Sequence, residues 1–173
     1  MFLLVQPFDD WVLQTLAASR TEVLTTLMTV VSFLGEWYIL LPATAIIVFL
    51  LWRRRLILPA TQFAYAVVGT FVAAVVLKLV VARSRPPEAL RLIAEGGYSF
   101  PSMHAAIAIA FWGYLAYLAA RRIQNPIGRI AVVISCVFLI LITDISRLYL
   151  GVHYFSDVVG STLLAGLVLL ISL

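Results

Sequence analysis

Long uncharged runs separated by short polar stretches dominate the chain. Residues 56–77 and 96–120 contain no Asp, Glu, Lys or Arg, and residues 158–173 are uncharged to the last position. A shorter run, residues 130–143, extends back to Pro126, a residue type that suits the first turn of a helix. Because a membrane-crossing helix needs about 20 apolar residues, these four runs are predicted to be transmembrane helices.

The stretch 23–52 is apolar but too long for one straight crossing. It is interrupted by Gly35 and Glu36, a small residue followed by a carboxylate. This break predicts a short helix over residues 22–34, half-buried or re-entrant, and then a span over residues 36–52. A single broken span is the alternative.

Residues 8–16 have the pattern of an interfacial helix. Asp9 and Asp10 lie at its start, where the helix dipole favours acidic groups, and Trp11 is of the type that lies at headgroup level. The predicted fold is an all-α, polytopic membrane helix bundle of about five to six transmembrane helices, with this N-terminal interfacial helix and a short periplasmic helix or loop. We expect one domain over residues 1–173.

The composition agrees with an integral membrane protein. Of the 173 residues, 64% are hydrophobic and 12% are charged, and the mean hydropathy is +1.09. A soluble domain carries about 25% charged residues. The net charge of +4 comes from basic residues scattered at segment ends, which argues against a nucleic-acid partner. The expected partner is the lipid bilayer, and no obligate protein partner is evident.

The basic residues form two groups if the spans alternate in direction. One group is compact, in loops without acidic residues: Arg53, Arg54, Arg55, Arg121, Arg122 and Arg129. The other is mixed with acidic residues: Lys78, Arg83, Arg85, Arg91 and Arg147, with Arg20 added. The counts tie, so the positive-inside rule does not decide by number. Because the second group coincides with polar clusters, we expect the first to be cytoplasmic. The chain would then lie in the inner (plasma) membrane with the clusters facing the periplasm or exterior.

Three polar clusters lie at the ends of the apolar runs, at residues 78–86, 101–104 and 146–157. Together they contain both histidines of the chain, four basic residues and the carboxylate of Asp157. Polar side chains in a membrane are costly and mark functional sites. This set of cations, imidazoles and a carboxylate is what the hydrolysis of a phosphate ester needs.

The first cluster can form a pocket for an anion. Lys78 and Arg85 are seven residues apart, two helical turns, so they can lie on one face. Pro86 disfavours helical geometry at Arg85, so the helix should end there. The alternative is that these side chains only reach to the lipid headgroups, and this is our interpretation of Arg83 and Arg91.

The other two clusters supply the histidines. Ser102 is predicted to cap the next helix, whose first N–H groups form an anion site near His104. His153 and Asp157 are four residues apart on one helical face, so the carboxylate can fix the imidazole tautomer. Arg147 can bind phosphate through two parallel hydrogen bonds. The alternatives are structural capping and metal ligation, for which the set lacks a clear third strong ligand.

In order and spacing, the clusters resemble the tripartite signature of the type 2 phosphatidic acid phosphatases, also called lipid phosphate phosphatases. The matching residues are Lys78-x6-Arg85-Pro86, Pro101-Ser102-Met103-His104 and Ser146-Arg147-x5-His153-x3-Asp157. The signature spans residues 78–157, nearly half of the chain. The one departure is Met103, where the family usually has glycine. Its backbone N–H is retained, but its side chain adds bulk at the mouth of the site.

The resemblance implies a two-step hydrolysis of a phosphorylated lipid without a metal or other cofactor. His153 would attack phosphorus to form a phosphohistidine, and Asp157 would orient it. His104 would protonate the leaving oxygen and later activate water. The phosphoryl oxygens would be bound by Lys78, Arg85, Ser102, Met103 and Arg147.

Four substrates fit this implied activity. They are undecaprenyl pyrophosphate, phosphatidylglycerol phosphate, phosphatidic acid and lipid A phosphate, the first being preferred because compact family members often act on it. A lipid phosphotransferase that uses the same phosphohistidine is one alternative. A non-catalytic membrane protein that binds lipid phosphates is another.

Three further residues need an interpretation. Glu36 is expected to mark a helix break near an interface, with a functional role as the alternative. Asp144 precedes Arg147 by three residues and is expected to pair with it. Trp37 is interpreted as an interfacial anchor or a packing residue.

Overall fold

Seven α-helices form the part of the chain that is described, residues 2–173 of a computed structural model. In chain order they are α1 (Gln6–Ala18), α2 (Glu22–Leu34), α3 (Trp37–Arg53), α4 (Ile57–Val81), α5 (Met103–Arg122), α6 (Pro126–Tyr149) and α7 (Phe155–Ser172). A short 3-10 turn, Glu88–Leu90, lies in the loop between α4 and α5. No β-strand occurs within residues 2–173, and the predicted all-α class is confirmed.

Four helices, α4 to α7, are individually long and apolar enough to cross a membrane. The helices α2 and α3 are long enough only as a pair, bent by 44°, which makes a broken span or a re-entrant segment. They meet at Gly35 and Glu36, where the sequence predicted the break. The described residues thus contain four to five spans. If the bent pair counts as one span, the number is five, the lower end of the predicted five to six. No sixth span is found within residues 2–173.

Local capping explains where two of the spans begin. The side chains of Ser102 and Asn125 accept hydrogen bonds from first-turn N–H groups of α5 and α6, respectively. Pro126 occupies the first turn of α6, as its type predicts. The charge-free run 96–120 becomes helical only from Met103, because the chain before the Ser102 cap is an irregular loop.

Helix α5 lies at the centre of the bundle and packs against α4, α6 and α7. Its buried face is rich in alanine, and small residues let membrane helices approach closely. Phe63 of α4 packs between larger α5 side chains, with ring centroids 5.4 Å from Phe111 and 5.2 Å from Tyr114. This core fixes α4 and α5 relative to each other, and therefore fixes Lys78 relative to His104.

The two groups of basic residues lie at opposite ends of the bundle. Arg55, Arg121 and Arg122 line one cleft together with Leu173, the last residue. The loops that carry Arg85 and His153 begin at the other ends of α4 and α6. The alternation assumed from the sequence is therefore present in the fold.

Candidate active site

One cavity of about 270 Å³ collects residues from all three polar clusters. Its walls are formed by Glu36, Trp37, Phe71, Val75, Lys78, Arg85, Glu95, Gly96, Met103, His104 and His153. Five of the eight site residues predicted from the sequence are among them. The other three, Ser102, Arg147 and Asp157, are fully buried beside this cavity rather than on its surface.

His153 lies in the loop between α6 and α7, just after Gly151, whose φ of +73° turns the chain. Its Nε2 atom is 3.2 Å from Nη1 of Arg85. Arginine only donates hydrogen bonds, so Nε2 must be the accepting, unprotonated nitrogen. The proton is then on Nδ1, which faces Oδ2 of Asp157 at 3.5 Å. This contact does not form a hydrogen bond, so the tautomer follows from the Arg85 contact alone.

The surroundings of His153 keep its imidazole neutral. The side chain is 1% exposed. Burial, followed by the positive charges of Arg147, Arg85 and Lys78, holds the pKa of His153 well below its usual value of 6.5. A neutral imidazole with a lone pair on Nε2 is the form that acts as a nucleophile.

Carbonyl groups of the loop between α4 and α5 hold two of the cations. The Nε atom of Arg85 donates to the carbonyl oxygens of Gly96 at 3.0 Å and Gly97 at 3.2 Å. Lys78 Nζ donates to the carbonyl oxygen of Tyr98 at 2.5 Å. Burial lowers the pKa of Arg85 to about 10, so its guanidinium stays charged at neutral pH.

Glu95 joins two arginines across the cavity. Its Oε2 atom accepts a hydrogen bond of 2.6 Å from Arg147 Nη2, and its Oε1 atom is 3.4 Å from Arg85 Nη2. Burial alone would raise the pKa of Glu95, but the two guanidinium charges outweigh it and lower that pKa. The sequence signalled this residue only as one of several acidic positions mixed with the basic ones.

The expected ion pair between Asp144 and Arg147 does not form, and that prediction was wrong. Arg147 instead donates to Glu95 and to the hydroxyl of Ser32 on α2. Within residues 2–173, Oδ1 of Asp144 has no hydrogen-bonding partner. The spacing of three residues places both side chains on one helix, but a partner from the loop lies closer to the guanidinium.

His104 is the second residue of α5, in the turn that Ser102 caps, and it meets the carboxylate of Glu36, which precedes α3. Its Nε2 atom is 3.1 Å from Oε1 of Glu36, close but not aligned as a hydrogen bond. Glu36 precedes the first residue of α3, so it marks the helix break as predicted. It also lines the cavity, which was the alternative interpretation.

The interpretation of Arg83 as a residue that reaches to the headgroups was wrong. Its side chain is 6% exposed and donates to Asp157 Oδ1 at 2.6 Å and to Asp9 Oδ2 at 2.8 Å. Asp9 is 1% exposed, so it is an ion-pair partner and not only a favourable charge at the start of α1. The sequence carried no signal that would join these positions.

Part of the cavity lining is apolar. Trp37, Phe71, Val75 and Met103 line it together with the charged residues. Met103 also packs against the core cluster around α5, so its bulk forms wall rather than filling the site. Trp37 therefore contributes to the site as well as to packing.

The sequence profile of the PAP2 superfamily matches residues 59–173, the greater part of this chain. Phosphatidylglycerophosphatase B of Bacillus subtilis (strain 168) is 36% identical over 87 residues. That match covers 49% of this chain and 42% of the relative, so it spans less than half of either protein.

Two solved structures share the fold. A crystal structure of a transmembrane PAP2-type phosphatidylglycerolphosphate phosphatase from Bacillus subtilis has a TM-score of 0.88 and 27% sequence identity. The match covers 98% of this chain and 85% of the chain in that crystal structure. The crystal structure of LpxE from Aquifex aeolicus has a TM-score of 0.72 and 21% identity, over 92% of this chain and 91% of that chain. The second likeness concerns the fold alone.

Proposed function

We propose a function from the fact that this chain belongs to the PAP2 superfamily. It is a membrane phosphatase that hydrolyses a lipid phosphate or pyrophosphate through a phosphohistidine. One observation carries the proposal. His153, whose Nε2 atom contacts Arg85, lines the same cavity as Lys78 and Arg85, so an imidazole and two cations converge on one anion-sized space.

In the first half-reaction, Nε2 of His153 attacks phosphorus and a P–N bond forms. The bond from phosphorus to the lipid oxygen breaks, and His104 gives its proton to that oxygen. Asp157 holds the proton on Nδ1 of His153 and balances the charge that develops on the ring. Lys78 and Arg85 stabilise the negative charge of the phosphoryl oxygens.

In the second half-reaction, water attacks the phosphohistidine and His104 accepts the proton of that water. The P–N bond breaks, inorganic phosphate leaves, and His153 is neutral again. Arg147 reaches the phosphoryl group only when it exchanges Glu95 for a phosphoryl oxygen, because Glu95 holds it in this structure. The backbone N–H of Met103 at the start of α5 binds a remaining oxygen, and Ser102, buried behind it, reaches the phosphoryl group only if the start of α5 shifts.

The apolar wall indicates where the lipid lies. Trp37, Phe71, Val75 and Met103 give the first carbons of the lipid an apolar contact while its phosphate meets the cations. Phosphatidylglycerol phosphate is the first substrate to test, because the Bacillus relatives carry that activity in their names. Undecaprenyl pyrophosphate, phosphatidic acid and lipid A phosphate follow.

The test is phosphate release by the purified protein from these four lipids in detergent micelles. The wild-type protein should release phosphate from at least one lipid, in the presence of EDTA as well as in its absence. His153→Ala should lose activity by roughly three orders of magnitude or more, and only the wild-type protein should yield an acid-labile phosphoenzyme.

Two other outcomes would replace the proposal. If the wild-type protein binds the lipids but releases no phosphate from any of them, it is a binding protein. If phosphate is found on an added lipid or sugar acceptor and not in water, it is a phosphotransferase. Matched elution profiles and melting temperatures of wild type and His153→Ala show that the variant is folded.

A further inference from the structure

Arg83 is a buried cation that takes no part in the reaction proposed above. Its guanidinium group lies between two aromatic rings, 3.9 Å from the ring centroid of Phe2 and 4.2 Å from that of Tyr154. Stacking on both faces leaves only the edge of the group for hydrogen bonds. The side chain is 6% exposed, so contact with lipid headgroups does not explain its charge.

The edge of this guanidinium group is filled by two carboxylates. Nη1 donates to Oδ1 of Asp157 at 2.6 Å and to the hydroxyl of Ser156 at 2.7 Å. Nη2 donates to Oδ2 of Asp9 at 2.8 Å and to Oε1 of Gln6 at 3.1 Å. Arg83 therefore links helix α1 to the carboxylate that faces His153, and it is not among the residues that line the cavity.

Asp9 also caps the helix that carries Asp157. Its Oδ1 atom accepts the backbone N–H of Ser156 at 2.8 Å, in the first turn of α7. Its Oδ2 atom accepts the Ser156 hydroxyl at 2.5 Å. A carboxylate at this position satisfies an unpaired helix N–H and interacts favourably with the helix dipole. Asp9 thus fixes the start of α7 from a helix about 150 positions earlier in the chain.

We propose that Asp9 and Arg83 are positioning residues that hold Asp157 in place behind His153. Arg83 and Asp9 fix one side of the Asp157 carboxylate, and its Oδ2 atom accepts the backbone N–H of Tyr154 at 2.9 Å. The same Oδ2 atom faces Nδ1 of His153. Helix α1 is then part of the active site and not only an interfacial anchor. The inference rests on the proposed function, in which His153 is the nucleophile.

The test compares Asp9→Asn with Asp10→Asn in the full-length protein. Both substitutions remove one negative charge from the start of α1, but Asp10 contacts only Gln6 among these groups. Because a small displacement of a reacting group costs up to about 100-fold in rate, Asp9→Asn should lower kcat about 10-fold or more, with KM within about twofold. Asp10→Asn should match wild type.

The rate of phosphoenzyme formation in a single turnover should fall with kcat, which a loss of folded protein alone would not produce. The double variant Asp9→Asn with Arg83→Lys should lose less activity than the sum of the two single losses, because Asp9 and Arg83 hold the same Asp157 carboxylate in place. Additive losses, or an unchanged kcat in folded Asp9→Asn, would overturn the proposal.

If Asp9→Asn does not fold, Ser156→Ala is the second variant. It removes the hydroxyl that joins Arg83 and Asp9, and the loss of this hydrogen bond should lower kcat about fivefold. An unchanged kcat in this variant would also overturn the proposal. The wild-type and His153→Ala measurements separate this proposal from the proposed function. An inactive wild type would refute the phosphatase activity. If the wild type is active, the Asp9 and Arg83 variants test the positioning role alone.

Discussion

At the scale of single residues, Glu95 lies where a phosphoryl group would make its contacts. Its two carboxylate oxygens face Arg85 and Arg147 from the wall of the cavity. A phosphate with the same two acceptors competes for both guanidinium groups. In the proposed reaction, phosphate binding therefore requires the release of Glu95, which opposes the affinity of the site for anions.

Glu95→Gln should bind anions more tightly than wild type. We expect the inhibition constant of vanadate, which resembles the pentacoordinate phosphorus of the transition state, to fall about tenfold, because the competing charged hydrogen bonds are removed. The measurement is inhibition of phosphate release. Glu88→Gln is the matched control, since the Glu88 side chain is 92% exposed. An unchanged or larger constant in Glu95→Gln would show that the carboxylate does not compete.

The pKa of Glu95 gives this effect a defined pH range. Because the pKa is below its usual value, the carboxylate is ionised throughout about pH 6 to 8 and competes equally across it. The ratio of the vanadate inhibition constants of wild type and Glu95→Gln should therefore be constant from about pH 6 to 8. It should shrink only at acidic pH, where the wild-type carboxylate becomes protonated and its pairing with the arginines is lost.

At the scale of elements, the turn between α6 and α7 positions His153, the proposed nucleophile. Gly151 has φ of +73°, and a Cβ atom there would lie 2.1 Å from the carbonyl oxygen of Leu90. Both features exclude a side chain. Leu92 N–H also donates to the carbonyl oxygen of Leu150 at 2.9 Å, so the loop after α4 and this turn are joined.

Gly151→Ala should destabilise the protein by about 2 kcal/mol or more, through left-handed strain and the overlap with Leu90. It should also lower activity, because His153 follows two positions later. Gly166→Ala in α7 is the control, since no atom lies within 4 Å of its Cβ position and alanine favours a helix. Thermal unfolding in detergent gives the melting temperatures of both variants, and phosphate release gives their activities. Equal melting temperatures would contradict the strain argument.

At the scale of the whole molecule, the positions of the loops predict the orientation. The end of the bundle that carries Arg55, Arg121 and Arg122 should face the cytoplasm, and the cavity should face the exterior. These arginines do not line the cavity, so they report the orientation by the positive-inside rule.

Cysteine labelling in intact spheroplasts tests this orientation. In a Cys136→Ala background, Glu88→Cys should react with a membrane-impermeant thiol reagent. Arg54→Cys should react only after permeabilisation. The reverse pattern would place the active site on the cytoplasmic side.

The sequence by itself determined the spans, the break at Gly35 and the family, and each was confirmed. These features are local, because hydrophobic runs and capping residues act over one helix and the motif spacings are fixed along the chain. The sequence also selected Lys78, Arg85, His104 and His153, which the fold brings to one cavity.

The tertiary structure alone decided which partner each of these residues has. Arg147 pairs with Glu95 and not with its helical neighbour Asp144, and Arg83 pairs with Asp9 from the other end of the chain. Such pairs depend on how helices dock. No periodicity or spacing in the sequence records which buried charges meet, so only the packed bundle connects α1 to Asp157 beside His153.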